Sequence, residues 1–348
     1  MLEKPDLPDR LILCRIQDEY GLQVARLAFL PLGADVNTAV YRLETHDGAT
    51  CFLKLRKGAF DETSVRLPQF LHSLSIRAVI PPLETRLGQL WGSLDPYKLM
   101  LYPFIEEADA LELTDRQWLE FGAALKRIHS AKPPPALKKL LQRETFAPDW
   151  RESVKTFQRQ VEQRTFDEPV AARLAAFMRA KRDQISHLVR RAEELALALQ
   201  ARPREFVLCH SDVHAGNLLV GADGSLYIVD WDNPILAPKE RDLMFIGGGV
   251  SASLSSARGE ALFYQGYGPT EVDRMALAYY RYERIVVDIA EFCKQLLLSE
   301  AGGEDREQSY RYFTSNFLAG HEFEIACQAD GKDYEESGKL SACPNILK

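Results

Sequence analysis

The chain has 348 residues, 46% of them apolar and 27% charged, with a formal net charge of −7. That length allows two lobes with separate cores, and the acidic balance disfavours a nucleic-acid partner, whose phosphates demand basic patches. No apolar run approaches the roughly 18 residues of a membrane span.

Residues 9–20 are predicted helical, with Glu3, Lys4, Asp6 and Asp9 where a secretory leader would be apolar. The six cysteines (Cys14, Cys51, Cys209, Cys293, Cys327, Cys343) form no C-x-x-C pair, so reduced thiols in a cytoplasmic protein are expected. Short β-prone runs follow at 24–30, 39–44 and 50–55, bounded by turn signals such as His46-Asp47-Gly48. Between the first two lies Gly33-Ala34-Asp35-Val36-Asn37-Thr38, where a phosphate-covering loop belongs. It lacks repeated glycines, and an ordinary hairpin turn is the alternative; Asn37 and Thr38 offer donors to phosphate oxygens.

Lys54 sits in the third run, ahead of a helix predicted over 62–74. A lysine on an alternating strand can simply face solvent, but this position is that of the kinase lysine that grips the α- and β-phosphates. Glu62 is then its expected ion-pair partner, with Asp61 one residue away as the alternative. Further strands are predicted at 83–90 and 98–102. The segment Met100-Leu101-Tyr102-Pro103-Phe104-Ile105 joins this β-rich half to the next. The backbone around Tyr102, Phe104 and Ile105 is the candidate to pair with a purine edge; a plain linker is the alternative, and both can hold at a cleft-lining hinge.

The expected division is an amino-terminal nucleotide lobe (1–102), a hinge (103–107) opening a carboxy-terminal catalytic and acceptor lobe (103–328), and a tail (329–348). Thr114-Asp115-Arg116-Gln117 reads as a capping box before the stripe Trp118, Phe121, Leu125 and Ile128, and Lys132-Pro133-Pro134-Pro135 ends that helix. Long helices are predicted over 149–166, 168–200 and 270–298. The polar tail reads as poorly ordered, with docking as the alternative.

The most informative stretch is Cys209-His210-Ser211-Asp212-Val213-His214-Ala215-Gly216-Asn217, followed by Asp230-Trp231-Asp232. H-x-D with Asn five positions after the Asp is catalytic-loop grammar for phosphoryl transfer. Asp212 would receive or orient the attacking hydroxyl. Asn217 and Asp230 would supply oxygen ligands to Mg²⁺, which needs few protein ligands because water and phosphate complete its shell. The runs 218–220 and 226–229 flank Gly221-Ala222-Asp223-Gly224 and predict a hairpin that returns Asp230 to Asn217. A metal cluster of His210, Asp212 and His214, or merely buried histidines, is the competing reading; the Asn217 and Asp230 spacing argues against both. No chemical role is expected for His214.

These residues resemble the aminoglycoside phosphotransferase and choline kinase superfamily. The runs Ala237-Pro238-Lys239-Glu240-Arg241-Asp242-Leu243-Met244-Phe245-Ile246-Gly247-Gly248-Gly249 and Tyr280-Arg281-Tyr282-Glu283-Arg284-Ile285-Val286, with Trp150-Arg151-Glu152, are similar to its spectinomycin phosphotransferase branch. The resemblance implies an α+β, bilobal, protein-kinase-like fold and an ATP- and Mg²⁺-dependent kinase acting on a cationic small-molecule acceptor. It makes Asp212 catalytic, Asn217 and Asp230 metal ligands, Lys54 the phosphate grip and Asp242 a tie for the catalytic loop. Asp232 either bonds within its turn or faces the acceptor. On the 270–298 helix, Ile285, Ile289, Phe292, Cys293 and Leu296 form the apolar stripe. Glu283 and Asp288 are acceptor candidates there, against a solvated charged face as the alternative. A metabolic kinase for choline, homoserine or another small alcohol, and a non-catalytic pseudokinase, are the rival functions.

Overall fold

The computed structural model describes residues 2–33, 35–108, 112–247, 256–299, 302–334 and 340–342. Gly248 and Gly249 of the 237–249 run, and Ala34 of the 33–38 loop, lie outside them. The amino-terminal lobe comprises α1 (Asp9–Tyr20), β1 (Val24–Leu30), β2 (Thr38–Thr45), β3 (Thr50–Lys57), α2 (Thr63–Ser73), β4 (Gly92–Leu94) and β5 (Tyr97–Pro103). Its strands form one antiparallel sheet in the order β1-β2-β3-β5-β4. Strand side chains alternate between faces. Tyr41, Leu43, Leu53, Leu55, Leu99 and Leu101 therefore pack with Ile12, Ile16 and Tyr20 of α1 in a small core, while Lys54 and Arg56 share the opposite face. Helix α2 packs elsewhere: Leu67 and Leu71 join the larger core with Ile76 and Val79.

The strand expected over 83–90 is not one. Pro81 and Pro82 cannot donate to a ladder, and Leu87 is 84% exposed. The segment makes a turn closed by Thr85 N–H to the Gln89 carbonyl (2.7 Å), and pairing resumes only at β4.

The larger lobe holds α3 (Asp115–Ser130), α4 (Pro135–Leu140), β6 (Gln142–Arg143), α5 (Asp149–Gln163), α6 (Pro169–Ala180), α7 (Arg182–Gln200), β7 (Val207–Cys209), β8 (Leu218–Val220), β9 (Leu226–Ile228), β10 (Ile235–Ala237), α8 (Glu240–Leu243), α9 (Ala257–Tyr267), α10 (Arg274–Leu297), α11 (Gly303–Ser315) and α12 (Glu322–Ala329). The capping box at α3 is present in both directions, with Thr114 Oγ1 accepting from the Gln117 N–H and Gln117 Oε1 from the Thr114 N–H. The single helix expected over 168–200 breaks at Lys181, which leaves the helical region at ψ 16°. The break lets α7 lie along α10 while α6 packs on α5. Helix α10 is the spine of the lobe, buried from Ala276 to Leu296 on more than one stripe because α5, α7, α11 and α12 all contact it. No helix of the described residues is long and apolar enough to cross a membrane.

Glu283, an acceptor candidate with a solvated charged face as the alternative, is not solvated. It is 5% exposed and accepts from Arg151 Nη1 of α5 at 2.7 Å, a buried ion pair. The chain after 328 is tied down at its start: Asp330 accepts from Arg191 Nε at 2.5 Å and Nη2 at 2.8 Å. A two-stranded pairing of β11 (Lys332–Tyr334) with β12 (Leu340–Ala342) follows.

Helices α3 and α9 approach closely through glycines. A Cβ on Gly122 would lie 2.0 Å from the Phe263 carbonyl oxygen, and one on Gly266 would lie 2.0 Å from that of Leu119. Both clashes are with backbone, so no side chain can move to relieve them. Gly122→Ala is expected to lower unfolding free energy by about 2–3 kcal/mol, since overpacking forces backbone shifts of that cost. Urea denaturation checks it, and an unchanged midpoint would contradict the close contact.

Candidate active site

Strand β7 delivers the chain into the loop 210–217, which closes with a single 3₁₀ turn, Ala215–Asn217, before the β8–β9 hairpin. One buried carboxylate organises the loop's start. Asp242 accepts from the His210 N–H at 2.9 Å and the Ser211 N–H at 2.6 Å. Its Oδ2 also meets His129 Nε2 at 2.9 Å, and His129 Nδ1 meets the Tyr267 hydroxyl at 2.7 Å. Burial pushes the Asp242 carboxyl up, but the His129 bond and the loop amides bring it below its ordinary value. Ser211 sits at φ 73°, a left-handed conformation that a non-glycine residue adopts at a cost.

The two histidines of the motif are structural. His210 Nδ1 accepts from the Asp212 N–H at 3.3 Å while its Nε2–H donates to the Val229 carbonyl at 2.9 Å, so the ring staples the loop to the end of the hairpin. His214 Nδ1 accepts from the Gly216 N–H at 3.0 Å. The hairpin does what its spacing requires: Leu218 pairs with Ile228, and Val229 N–H reaches the Asn217 carbonyl at 2.9 Å, setting Asp230 beside Asn217. Asn217 Nδ2 donates to the Asp212 carbonyl at 2.7 Å. That bond fixes the amide and leaves Oδ1 with no donor among the described residues. An amide oxygen and a carboxylate on adjoining segments are hard oxygen donors, which suits Mg²⁺.

From the other lobe, Lys54 Nζ reaches Asp230 Oδ1 at 2.9 Å and Asp232 Oδ1 at 2.7 Å. Burial alone would push its ammonium down, but the two carboxylates hold it above the ordinary value, and Lys54 keeps Asp230 below the usual carboxylate range. Glu62 is therefore not the partner of Lys54. It pairs with Arg66 at 2.7 Å, one turn along its own helix. Asp232 accepts from Lys54 Nζ at 2.7 Å and from Arg56 Nη1 at 3.3 Å, both of β3. Arg56 additionally donates to Asp35 and to Thr38 Oγ1, tying the 33–38 loop to β3. Asn37 has both backbone groups engaged, its N–H with Asp35 Oδ1 at 2.8 Å and its carbonyl with the Lys57 N–H at 2.8 Å.

At the hinge, Tyr102 shares the Lys54 face of the sheet through the β3–β5 register, and burial pushes its phenol above the usual range. Phe104 donates its N–H to the Thr50 carbonyl at 3.3 Å and lies under the Arg42 guanidinium at 4.6 Å. Ile105 lies against Gly221.

Helix α10 sends a further side chain to the 210–217 loop. Arg284 Nη1 donates to Asp212 Oδ1, and its Nε lies 3.1 Å from Asp288 Oδ1. Asp288 thus comes to the site through Arg284. The signal was present as an i, i+4 Arg–Asp pair on one helix, but nothing local shows which loop it faces. Burial pushes the Asp212 carboxyl up, while Arg284 and His214 pull it below its ordinary value.

Residues 28–275 match the model of the phosphotransferase enzyme family. The chain is similar to spectinomycin phosphotransferase APH(9)-Ia in complex with ADP and spectinomycin: identity is 36%, 94% of this chain and 99% of that one are covered, and the TM-score is 0.85. Its AMP-bound complex matches at 35% identity, 91% and 97% coverage and a TM-score of 0.80. Choline kinase LicA from Streptococcus pneumoniae shares the fold, at 17% identity, 88% and 97% coverage and a TM-score of 0.53. No curated protein sequence matches the chain.

Replacing Asp242 by Asn would turn an N–H₂ group toward one of three donors. Leaving a buried charge-assisted bond unmade costs about 2–3 kcal/mol. Asp242→Asn should therefore lose that much stability and speed amide exchange at His210 and Ser211. Protected amides in a stable variant would remove Asp242 from this role.

Proposed function

The chain belongs to the phosphotransferase enzyme family, and from that premise we propose that it transfers the γ-phosphate of ATP to a hydroxyl of spectinomycin or a close aminocyclitol. The observation that carries the reading is convergence. Lys54 from the small lobe meets Asp230, and the β8–β9 hairpin and the Asn217–Asp212 bond bring Asp230, Asn217 and Asp212 together. The 36% identity to a spectinomycin phosphotransferase over 94% of the chain supports the acceptor.

In this reading Asp212 accepts the hydroxyl's hydrogen bond and orients its oxygen toward the γ-phosphorus. Lys54 holds the phosphates from above, kept charged by its two carboxylates. Asn217 Oδ1 and Asp230 would hold Mg²⁺, which when bound would neutralise charge on the phosphate oxygens. With a loose transition state, positioning and electrostatics do most of the work, so Asp212 need not be a strong base. Spectinomycin's amines are largely cationic at neutral pH. Asp288, 3.1 Å from Arg284 Nε, supplies negative charge on the acceptor side. Antibiotic resistance in the cytoplasm would be the biological effect.

Expression in a sensitive bacterium should raise the inhibitory concentration of spectinomycin but not of kanamycin, because a differently placed hydroxyl loses roughly a hundredfold in rate per 1 Å. Folded, ATP-binding protein with no turnover of spectinomycin would leave a metabolic small-alcohol kinase as the better reading.

Asp212→Asn should reduce kcat on the order of 10² or more with little change in ATP affinity. In Asn217→Ala and Asp230→Ala, activity titrated against Mg²⁺ should show a raised metal requirement or complete loss. Unaltered metal dependence in both would refute their assignment.

A further inference from the structure

Asp212 is held by two separate sets of contacts. The loop itself fixes the backbone, through the Asp212 N–H on His210 Nδ1 and the carbonyl on Asn217 Nδ2. The loop does not fix the side chain. Its nearest loop neighbour is His214, whose Nε2 stands 3.8 Å from Oδ2, beyond hydrogen-bond reach. The carboxylate is gripped instead by Arg284, 72 residues further along the chain, which donates from Nη1 to Oδ1.

Arg284 is restrained in turn. Its Nε lies 3.1 Å from Asp288 Oδ1, one turn along α10, and its guanidinium lies over the Phe245 ring at 5.9 Å from the centroid. The side chain is 21% exposed and that of Asp212 is 30% exposed, so the contact is shielded but opens onto the cleft. The Asp288 contact is an ion pair and the Asp212 contact a hydrogen bond; a planar, delocalised guanidinium can face both carboxylates at once, whereas an ammonium is a single rotatable point.

Resting on the phosphotransferase reading, we infer that Arg284 is a positioning residue of the reaction. It locks the Asp212 carboxylate through Oδ1, with Asp288 as its anchor, so that Oδ2 is the oxygen presented to the acceptor hydroxyl. The hydroxyl proton passes to Oδ2 as the hydroxyl oxygen bonds to the γ-phosphorus and the bond to the β–γ bridging oxygen breaks, releasing ADP. Without Arg284 the carboxylate turns about its side-chain bonds, and the loop's backbone contacts cannot prevent it. Asp288 has a second effect: it offsets the guanidinium charge, so a cationic acceptor does not meet a net positive wall.

The test compares wild type with Arg284→Ala and Asp288→Asn, measuring kcat, both KM values and MgATP affinity by calorimetry. Arg284→Ala should lose about a hundredfold in kcat, the cost of misplacing a reacting group by about 1 Å, with MgATP affinity unchanged. Added guanidinium ion should restore part of that turnover, and should restore none in Asp212→Asn. Asp288→Asn leaves the guanidinium present but unanchored, and should show a smaller loss, again in kcat. Near-normal kcat in Arg284→Ala overturns the inference. So does a loss without guanidinium rescue that is accompanied by equal loss of MgATP affinity, since that is a merely structural role. Should Arg284→Ala fail to fold, an unchanged kcat in Asp288→Asn overturns it. Turnover of spectinomycin by the wild type decides the acceptor reading separately. The variants are compared on whichever acceptor the wild type uses, including slow transfer to water, so failure of one reading does not masquerade as failure of the other.

Discussion

The structure depends on one buried carboxylate. Asp242 receives two consecutive backbone N–H groups from the catalytic loop and a third bond from His129. Hydrogen bonds to a charged group are worth about 1.5–3 kcal/mol each, whereas a residue held in a sparse backbone region costs about 1–3 kcal/mol. Two such bonds outweigh the strain at Ser211, and the strained turn is what sends Asp212 into the cleft while the strand behind it stays paired. The anchor is itself anchored. His129 comes from α3 and its partner Tyr267 from α9, two helices that meet at this distance only because Gly122 and Gly266 lack a Cβ. Helix packing remote from the cleft thereby sets the backbone position of Asp212.

Charge is sorted across the cleft. On the nucleotide side, Lys54 and Arg56 project from one face of β3 and are balanced by Asp35, Asp230 and Asp232. These are the cations that phosphate oxygens require, held in place by carboxylates, one of which doubles as a candidate metal ligand. On the other side, Asp212 and Asp288 flank the guanidinium of Arg284. At an effective dielectric near 20, unit charges 4 Å apart interact by about 4 kcal/mol. An excess of even one carboxylate therefore distinguishes a cationic acceptor from a neutral one.

What could be read from the sequence was chemistry written locally. The strands 24–30, 39–44 and 50–55, the capping box at Thr114 and the β8–β9 hairpin all follow from turn residues and short-range periodicity, and the structure contains them. The loop residues Asp212 and Asn217 lie five positions apart, and the hairpin that brings Asp230 back is equally local. Pairings between distant carboxylates and cations were not legible in the same way. Lys54 has Asp61, Glu62, Asp230 and Asp232 to choose from. Helical proximity suggested Glu62, but Glu62 is already satisfied by Arg66. For Asp232, bonding within its turn and facing the acceptor both stay open in the sequence, because nothing in the turn reveals that Arg56 of the other lobe reaches it. The break at Lys181 was hidden for a similar reason: both halves of 168–200 have helical periodicity, and only packing against α10 separates them.

Helix α10 shows most clearly why the acceptor side resisted reading. Successive residues on a helix are rotated by about 100°, so Glu283 and Arg284 cannot serve the same surface. Glu283 turns into the lobe and meets Arg151, which also donates to the Phe146 and Ala147 carbonyls at 2.9 and 3.0 Å. Arg284 turns out to the cleft. Breaking a buried ion pair by removing one partner costs about 3–5 kcal/mol, enough to forbid α10 from rolling about its own axis. The Arg151–Glu283 pair thus helps to fix the rotation of the helix, and that rotation aims the guanidinium at Asp212. An amphipathic-stripe analysis assumes one buried face and one wet one. On a helix enclosed by α5, α7, α11 and α12 that assumption fails, and the charged residues divide instead between a structural lock and the site it orients.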